Sequence, residues 1–208
     1  MPLSEVKRSG QALIGIWRMT ETEEDLSALL LDREKYQSQL DAFASAKRRI
    51  EFLTIRVLLQ HLCETPFQIA YQESGKPYLL NSSWQISISH TKGYAAIILH
   101  PLHPVAIDIE QRSDKVLRLQ SKFMNDSELL GIDPKNELSY ALICWSAKET
   151  LFKIMPEEEI DFKKHLQLSS FQVTSAGKFH GSEFKSAGQR EFEIYYINHP
   201  DYVMTWIA

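Results

Sequence analysis

Two acidic residues in one predicted strand are the first candidates for chemistry. Residues 105–110 alternate between apolar and other side chains, and Asp108 and Glu110 stand two positions apart. Side chains two residues apart in a strand point to the same face, so these carboxylates are predicted to lie side by side, about 6–7 Å apart. Such a pair supplies the hard oxygen ligands that suit a divalent cation.

A predicted helix further along the chain supplies a third acid and a base. Trp145, Glu149 and Lys153 are spaced four residues apart, which places them on one helix face. If this face meets the acidic strand, three carboxylates form an oxygen-rich pocket. Mg²⁺ is the cation predicted there, because it binds a few carboxylates together with substrate phosphates.

Both patterns also have simpler interpretations. Asp108 and Glu110 are consistent with the solvated face of an edge strand. Glu149 and Lys153 are consistent with a surface ion pair, which contributes only about 0.3–0.5 kcal/mol. The individual spacings leave these alternatives open.

Four motifs, taken together and in order, resemble one enzyme family. They are Gly75-Lys76-Pro77, Ser87-Ile88-Ser89-His90, Ile107-Asp108-Ile109-Glu110 and the Trp145-Ser146-x-Lys148-Glu149-x-x-x-Lys153 segment. This set resembles the 4′-phosphopantetheinyl transferase superfamily, and most closely its larger single-chain members of the surfactin-synthetase-activating type. The resemblance covers residues 45–155 well and both ends of the chain poorly. Ala106 departs from the pattern, because family members usually have Gly before the Ile-Asp.

The resemblance implies an enzyme that transfers 4′-phosphopantetheine from coenzyme A to a serine of an apo acyl or peptidyl carrier protein, releasing adenosine 3′,5′-bisphosphate. It implies that Mg²⁺ is held by Asp108, Glu110 and Glu149. Glu149 and Lys153 are the predicted catalytic residues. Glu149, or a water on the metal, would take the serine proton, and Lys153 would support the developing negative charge.

Basic residues are needed for the coenzyme A phosphates. The resemblance implies that Ser89 and His90 contact these phosphates, with His90 on the 3′-phosphate. The predicted cofactor-binding residues are Arg48, Lys76, Ser89, His90, Lys148 and Lys153. Arg49 and Arg56 form a second tier of phosphate-binding candidates, and Glu128 is a second-tier residue that the resemblance places near the metal. Each also has a structural alternative: a solvated helix face, a plain turn at Lys76, a buried ion pair at Arg56 or a helix-surface acid at Glu128.

Composition excludes several classes of protein. The 208 residues are 44% apolar, which is enough to fill a core and excludes wholesale disorder. The net charge of −4 argues against nucleic acid as a partner. Cys63 and Cys144 are predicted to be reduced core residues. The absence of a signal-like start and of long apolar runs predicts a cytoplasmic protein that does not enter the membrane.

The predicted fold class is α+β, with two similar lobes, 1–104 and 105–208, in a pseudo-twofold arrangement. Ser87-Ile-Ser-His followed by residues 94–99 recurs loosely as Tyr196-Ile-Asn-His followed by residues 202–207, which suggests a duplication. Chance similarity of hairpins is the alternative. The active site is predicted between the lobes, and an internally doubled chain is predicted to act as a monomer. The predicted strands are 10–18, 69–71, 78–80, 84–90, 94–99, 105–110, 171–174, 192–197 and 202–207, and the predicted helices are 23–36, 42–62, 114–131 and 137–154.

Two other functions remain as alternatives. One is a non-catalytic module of the same fold that binds carrier proteins or nucleotides. The other is a different Mg²⁺-dependent enzyme that cleaves phosphodiesters, although extra His and Asp ligands typical of two-metal hydrolases are missing. For the transferase, Lys115, Arg118 and Lys122 could form a basic helix face for an acidic carrier protein, and a solvated face is the alternative.

Overall fold

The computed structural model describes residues 3–63, 67–156 and 159–208. The chain divides into two compact units, Met1–Pro104 with Ala208 and Val105–Ile207. Both units combine helices with antiparallel sheet, which confirms the α+β class. Pro66, which the sequence predicts as the stop of the second long helix, and Glu157 and Glu158, which it predicts in a charged loop, lie outside the described residues.

The first unit contains a four-stranded antiparallel sheet and a separate two-stranded ribbon. The strands of this unit are β1 Leu3–Ser9, β2 Ala12–Arg18, β3 Ile69–Tyr71, β4 Pro77–Leu79, β5 Gln85–Thr91 and β6 Tyr94–His100. The sheet order is β1-β2-β6-β5, and β3 pairs with β4. The helices are α1 Glu23–Leu29, a 3₁₀ helix Arg33–Tyr36, α2 Gln37–Asp41 and α3 Ala46–Leu62.

Helix α3 packs on one face of this sheet. Leu53, Val57 and Leu58 of the helix share a fully buried cluster with Ile97 and Leu99 of β6. These residues fall on one side of α3 because they follow the helical repeat. Near the start of the helix, the opposite side carries charged residues.

The second unit contains a five-stranded antiparallel sheet. Its strands are β7 Ala106–Gln111, β8 Leu166–Leu168, β9 Ala176–Glu183, β10 Glu191–Asn198 and β11 Tyr202–Ile207, in the order β7-β11-β10-β9-β8. Its helices are a 3₁₀ helix Asp114–Arg118, then α4 Gln120–Phe123, α5 Asp126–Leu130, α6 Glu137–Ile154 and α7 Phe162–His165. Helix α6 packs on the sheet through Ala147 and Leu151, which join Val203, Ile207 and Ile194 in the core.

Each unit repeats one order of elements. In the first unit, β2 precedes the long helix α3, and the β5-β6 hairpin then pairs with β2 through β6. In the second unit, β7 precedes α6, and the β10-β11 hairpin pairs with β7 through β11. This common order favours the predicted duplication, and the twofold symmetry stays a prediction.

Three predicted elements differ from the structure in more than the position of their first residue. The helix predicted at 23–36 ends at Leu29 and is followed by a 3₁₀ turn. The helix predicted at 114–131 is broken into three short pieces, because Asn125 caps a new helix through a capping box with Glu128. The strand predicted at 171–174 is irregular, since Phe171 is held by stacking on Tyr140 and Phe179 at 4.7 and 4.3 Å and not by a ladder.

Strand β9 could not be recognised from its composition. It is rich in glycine and polar residues, which are poor signals for a strand. Gly181 is required by packing, because a Cβ there would lie 2.5 Å from Ile194 Cδ1 and 2.9 Å from Leu151 Cδ1. The glycine therefore lets the core residues of β10 and α6 approach the strand backbone.

No helix in the described ranges combines the length and the apolar character that a membrane-crossing segment needs.

The turn after β9 depends on one buried carboxylate. Glu183 accepts hydrogen bonds from the backbone N–H groups of Lys185 and Ser186 at 3.0 and 2.9 Å and from Arg190 Nε at 2.8 Å. Burial by itself would raise the pKa of Glu183, but the hydrogen bonds from Ser186 and Arg190 outweigh it and lower the pKa to about 2.

We expect Glu183→Gln to lower the free energy of unfolding by about 2–4 kcal/mol at pH 7, because it leaves buried donors poorly matched. The pKa of Glu183 is lower in the folded chain than its ordinary 4.5, so its contribution is present above pH 4.5 and is lost as the pH falls towards 2. Urea unfolding at pH 7 and pH 3 measures this. Glu191→Gln, at a side chain that is 67% exposed, is the control. An equal loss in both variants at pH 7 would contradict the role given to Glu183.

Candidate active site

The acidic face of β7 is covered by a helix. Asp108 is 4% exposed, and Ala106 on the same face belongs to the core beneath α6. This burial argues against the solvated-face interpretation of the strand. Buried carboxylates require compensating partners, so the residues that α6 brings to them define the site.

Helix α6 meets both acids at opposite ends of one face. Lys153 Nζ lies 2.8 Å from Asp108 Oδ1 and also donates to the Ile107 carbonyl at 3.0 Å. Eight residues earlier, Trp145 Nε1 donates to Glu110 Oε1 at 2.8 Å. Glu149 lies midway between these contacts on the same helix face, so it faces the strand between the two acids.

A hydroxyl cluster fixes the helix against the sheet at this point. Thr205 of β11 is the register partner of Asp108. Its hydroxyl lies 3.0 Å from Ser146 Oγ and 2.6 Å from Thr150 Oγ1. These small side chains are fully buried and let the helix and the sheet approach closely.

Burial and neighbouring carboxylates raise the pKa of both Glu110 and Glu149. Burial raises the pKa of Glu149 to about 7, Asp108 and Glu110 add to the rise, and Lys153 opposes it. Burial and the nearby Asp108 raise the pKa of Glu110, while the Trp145 N–H and Lys153 oppose that rise. Lys153 thus balances only part of the negative charge.

The donor set suits a hard cation, although no such site is preformed. Among the described residues, no group of three or more His, Cys, Asp or Glu side chains is placed so that it could hold a metal ion. The Lys153 ammonium lies where it partly neutralises Asp108. Three carboxylates with excess negative charge nevertheless fit Mg²⁺, which Asp108, Glu110 and Glu149 would hold after side-chain adjustment.

A separate cavity in the first unit gathers several predicted phosphate-binding residues. Its volume is about 330 Å³. Helix α3 contributes Arg48 and Arg56, strand β5 contributes His90, and the β3-β4 turn contributes Gly75 and Pro77 on either side of Lys76. Lys76 itself follows Gly75, whose φ of +84° requires the glycine in this turn.

Other residues predicted near the phosphates lie elsewhere in the first unit. Arg49 is bound away from the cavity, with Nε 2.7 Å from Glu23 Oε2 and Nη1 donating to the Phe43 carbonyl at 2.8 Å. Ser89 is buried on the face of β5 opposite His90, because neighbouring strand residues alternate in direction. These positions argue against a phosphate contact from Arg49 and against Ser89 lining this cavity.

Comparison with known proteins then decides the family. A family model described as the 4′-phosphopantetheinyl transferase superfamily matches residues 104–207, which are 104 of the 208 residues. The chain belongs to the 4′-phosphopantetheinyl transferase superfamily. The predicted superfamily is therefore confirmed, and the surfactin-synthetase-activating subtype stays a prediction. No curated protein matches the chain.

The superfamily match includes all three candidate metal ligands and Lys153. The upstream motifs with Lys76, Ser89 and His90 lie outside the matched residues. The match therefore supports a transferase, and the roles of the first unit rest on the cavity and the sequence resemblance.

Lys148 lies away from the acids and is used inside the second unit. It is fully buried, and its Nζ donates to the carbonyls of Phe123, Phe162 and Leu166 at 2.7–2.9 Å. The same nitrogen lies 2.8 Å from Glu128 Oε2. Successive helix residues point about 100° apart, so Lys148 enters the core while the adjacent Glu149 faces β7. An ammonium with four oxygen neighbours has no hydrogen left for coenzyme A, which argues against the predicted cofactor role.

Glu128 is also committed to internal bonds. It accepts from the Leu168 N–H at 2.9 Å and from the Asn125 N–H at 2.9 Å, in addition to pairing with Lys148. This arrangement argues against the predicted position near the metal.

Two residues of these sites were not predicted. The indole of Trp145 was noted only for its spacing, and its bond to Glu110 gives it a role in orienting that acid. Glu51 lines the first-unit cavity among the basic residues. In the sequence, Glu51 could have been recognised as an acid within the basic run of α3, three residues after Arg48.

We expect Lys148→Met to lower the free energy of unfolding by about 3–5 kcal/mol, because it leaves Glu128 as an unpaired buried charge. Chemical unfolding at pH 7 measures this. The double variant Lys148→Met/Glu128→Gln should regain part of the loss. Native stability of Lys148→Met with weakened coenzyme A binding would instead restore the role predicted from sequence.

We expect Trp145→Phe to weaken Mg²⁺ binding about tenfold, because loss of a bond that orients a ligand typically costs 10–100-fold in affinity. The phenyl ring keeps the contacts with Phe123 and Phe162. The rise of the unfolding temperature with Mg²⁺ concentration gives the affinity without an activity assay. Trp84→Phe in the first unit is the control. Unchanged Mg²⁺ affinity in Trp145→Phe would show that Glu110 needs no such support.

Proposed function

We propose that this protein transfers the 4′-phosphopantetheine arm from coenzyme A to a serine hydroxyl of an apo acyl or peptidyl carrier protein in a Mg²⁺-dependent reaction. The observation that carries the proposal is the helix face of Trp145, Glu149 and Lys153, whose outer residues bond to Glu110 and Asp108. Membership of the superfamily supports the same class of reaction.

The acids and Lys153 divide the work on the pyrophosphate. Asp108, Glu110 and Glu149 would hold Mg²⁺, which when bound neutralises phosphate oxygens and orients the bond to be broken. Lys153 is held by Asp108 and the Ile107 carbonyl, so its ammonium has a fixed position. From there it stabilises the negative charge that develops on the leaving phosphate.

The transfer itself exchanges one phosphorus–oxygen bond for another. The serine oxygen of the carrier protein bonds to the phosphorus that carries pantetheine, and the bond from this phosphorus to the bridging oxygen breaks. Adenosine 3′,5′-bisphosphate leaves with the bridging oxygen. Glu149 would accept the serine proton, directly or through a water.

The first unit is proposed to bind the phosphates and the adenosine part of coenzyme A. Arg48, Arg56 and His90 line its cavity with a surplus of positive charge. The rings of Phe43 and Phe52 also line it and offer apolar walls. Lys76 is a proposed phosphate-binding residue because its turn flanks the cavity. Lys148 is not, because it is buried.

The carrier protein is proposed to approach the segment that follows β7. Lys115 and Arg118 lie in the 3₁₀ helix and Lys122 lies in α4, and all three are exposed. Leu119 between them is 41% exposed. This basic segment with one apolar residue suits an acidic amphipathic helix.

Incubation with coenzyme A, Mg²⁺ and an apo carrier protein should add about 340 Da to the carrier serine, the mass of the phosphopantetheine arm. Asp108→Asn should abolish the addition while the unfolding transition remains cooperative. Asp114→Asn, at an exposed acid of the same unit, is the matched control and should retain activity.

Three outcomes would count against the proposal. A wild-type protein that leaves every apo carrier unmodified would favour the non-catalytic alternative. Release of a phosphodiester product without mass gain on the carrier would favour a different hydrolytic enzyme. Full activity of Asp108→Asn would show that the reaction does not need the acid cluster.

A further inference from the structure

One acid lies among the bases of the first-unit cavity. Glu51 is 5% exposed, and its carboxylate lies 3.5 Å from Lys47 Nζ and 3.8 Å from Arg48 Nη1. The same carboxylate lies 3.6 Å from His90 Nδ1 on strand β5. A single buried acid therefore joins bases from two different elements.

Of the remaining titratable groups that line this cavity, Arg56 adds positive charge and Tyr71 is a neutral phenol. Arg56 is 5% exposed, its guanidinium lies over the Phe52 ring, and its buried Nε has no hydrogen-bond partner among the described residues. Tyr71 from β3 completes the set. Glu51 is the acid among the described residues that line the cavity, and it pairs with His90, so its removal disfavours the protonated form of His90.

We propose that Glu51 is a positioning residue of a phosphate-monoester subsite, in which it keeps His90 protonated and holds Arg48 and His90 directed into the cavity. This inference rests on the proposed function, which makes coenzyme A, with its 3′-phosphate, the substrate. Glu51 does not touch the phosphate. It acts through His90 and Arg48, so that an incoming phosphate meets cations that are already charged and oriented.

Because Glu51 is charged, its removal is expected to change phosphate binding differently at low and at high pH. An acid close to an anion site repels the anion, so its removal favours phosphate binding wherever His90 is protonated in both proteins. Removal of the acid also lowers the pKa of His90, so the variant loses a binding cation at a lower pH than the wild type. A purely structural role would weaken binding equally at every pH.

The test uses the whole 208-residue chain and adenosine 3′,5′-bisphosphate, the proposed product, so it requires no turnover. Glu51→Gln keeps the shape of the side chain and removes its charge. NMR titration of the His90 ring in the free protein measures its pKa. Calorimetric binding between pH 5.5 and 8.5 then gives the pH at which affinity falls.

Two variants serve as controls. Glu23→Gln removes an acid that pairs at 2.7 Å with Arg49, which lies in α3 like Glu51. Glu23 does not line the cavity. It should leave both measurements unchanged. His90→Gln removes the titrating group, and in that background Glu51→Gln should no longer shift the pH profile.

We expect Glu51→Gln to lower the pKa of His90 by about one pH unit and to weaken binding about tenfold on the alkaline side. At pH 5.5 the variant should bind at least as tightly as the wild type. An unchanged His90 titration, or a loss of affinity equal at all pH values, would overturn the proposal. If Glu51→Gln fails to fold, Glu51→Asp, which retains the charge, must keep the His90 pKa near the wild-type value for the inference to stand.

Failure of the proposed function would look different. Absence of phosphopantetheine transfer together with a shifted His90 titration and altered bisphosphate binding would preserve the role of Glu51 in an anion site and reject only the reaction.

Discussion

The register of α6 on β7 and β11 is the constraint on which the candidate site depends. A carboxylate as buried as Asp108 is tolerated because Lys153 reaches it, and the indole of Trp145 meets Glu110 two turns earlier on the helix. The hydroxyl of Thr205 bonds to α6 between these contacts. A shift of the helix by one turn, about 5.4 Å, would break all of these interactions together, so the position of Glu149 is determined by its neighbours.

The two units share one order of elements, but their candidate sites carry opposite charges. In each, a strand precedes a long helix, and the last strand of a hairpin pairs with that first strand. Helix α6 presents Glu149 to two strand acids, whereas α3 presents Arg48 and Arg56 to a cavity that also contains His90. The same arrangement thus produces an acidic cluster in one unit and a basic cavity in the other.

Local repeats carried the part of the site that could be predicted from sequence. The two-residue period of β7 placed Asp108 and Glu110 on one face, and the four-residue spacing of α6 placed Glu149 and Lys153 on another. The bond from Trp145 and the hydroxyl of Thr205 depend on long-range pairing, including the register between β7 and β11, which spacing does not encode. The cofactor role predicted for Lys148 arose because a motif joins neighbours in sequence that a helix turns in different directions.

The fold shows the same division between local and long-range information. Strand β10, whose first half alternates, the largely apolar strand β11 and the long helix α6 were predicted nearly to their ends. Strand β9 was missed because its glycines serve side chains of other elements. The helix predicted at 114–131 was wrong because the capping box at Asn125 competes with a continuous apolar pattern.

The Lys148 ammonium has a further consequence for how the second unit is built. Its carbonyl partners belong to the last residue of α4, the first of α7 and the first of β8, and its ionic partner Glu128 belongs to α5. Helices of four or five residues have little stability of their own. One side chain therefore links the three short helices to one another and to the first residue of β8. Because these segments depend on the same ammonium group, thermal opening of this region should occur as a single event and not segment by segment.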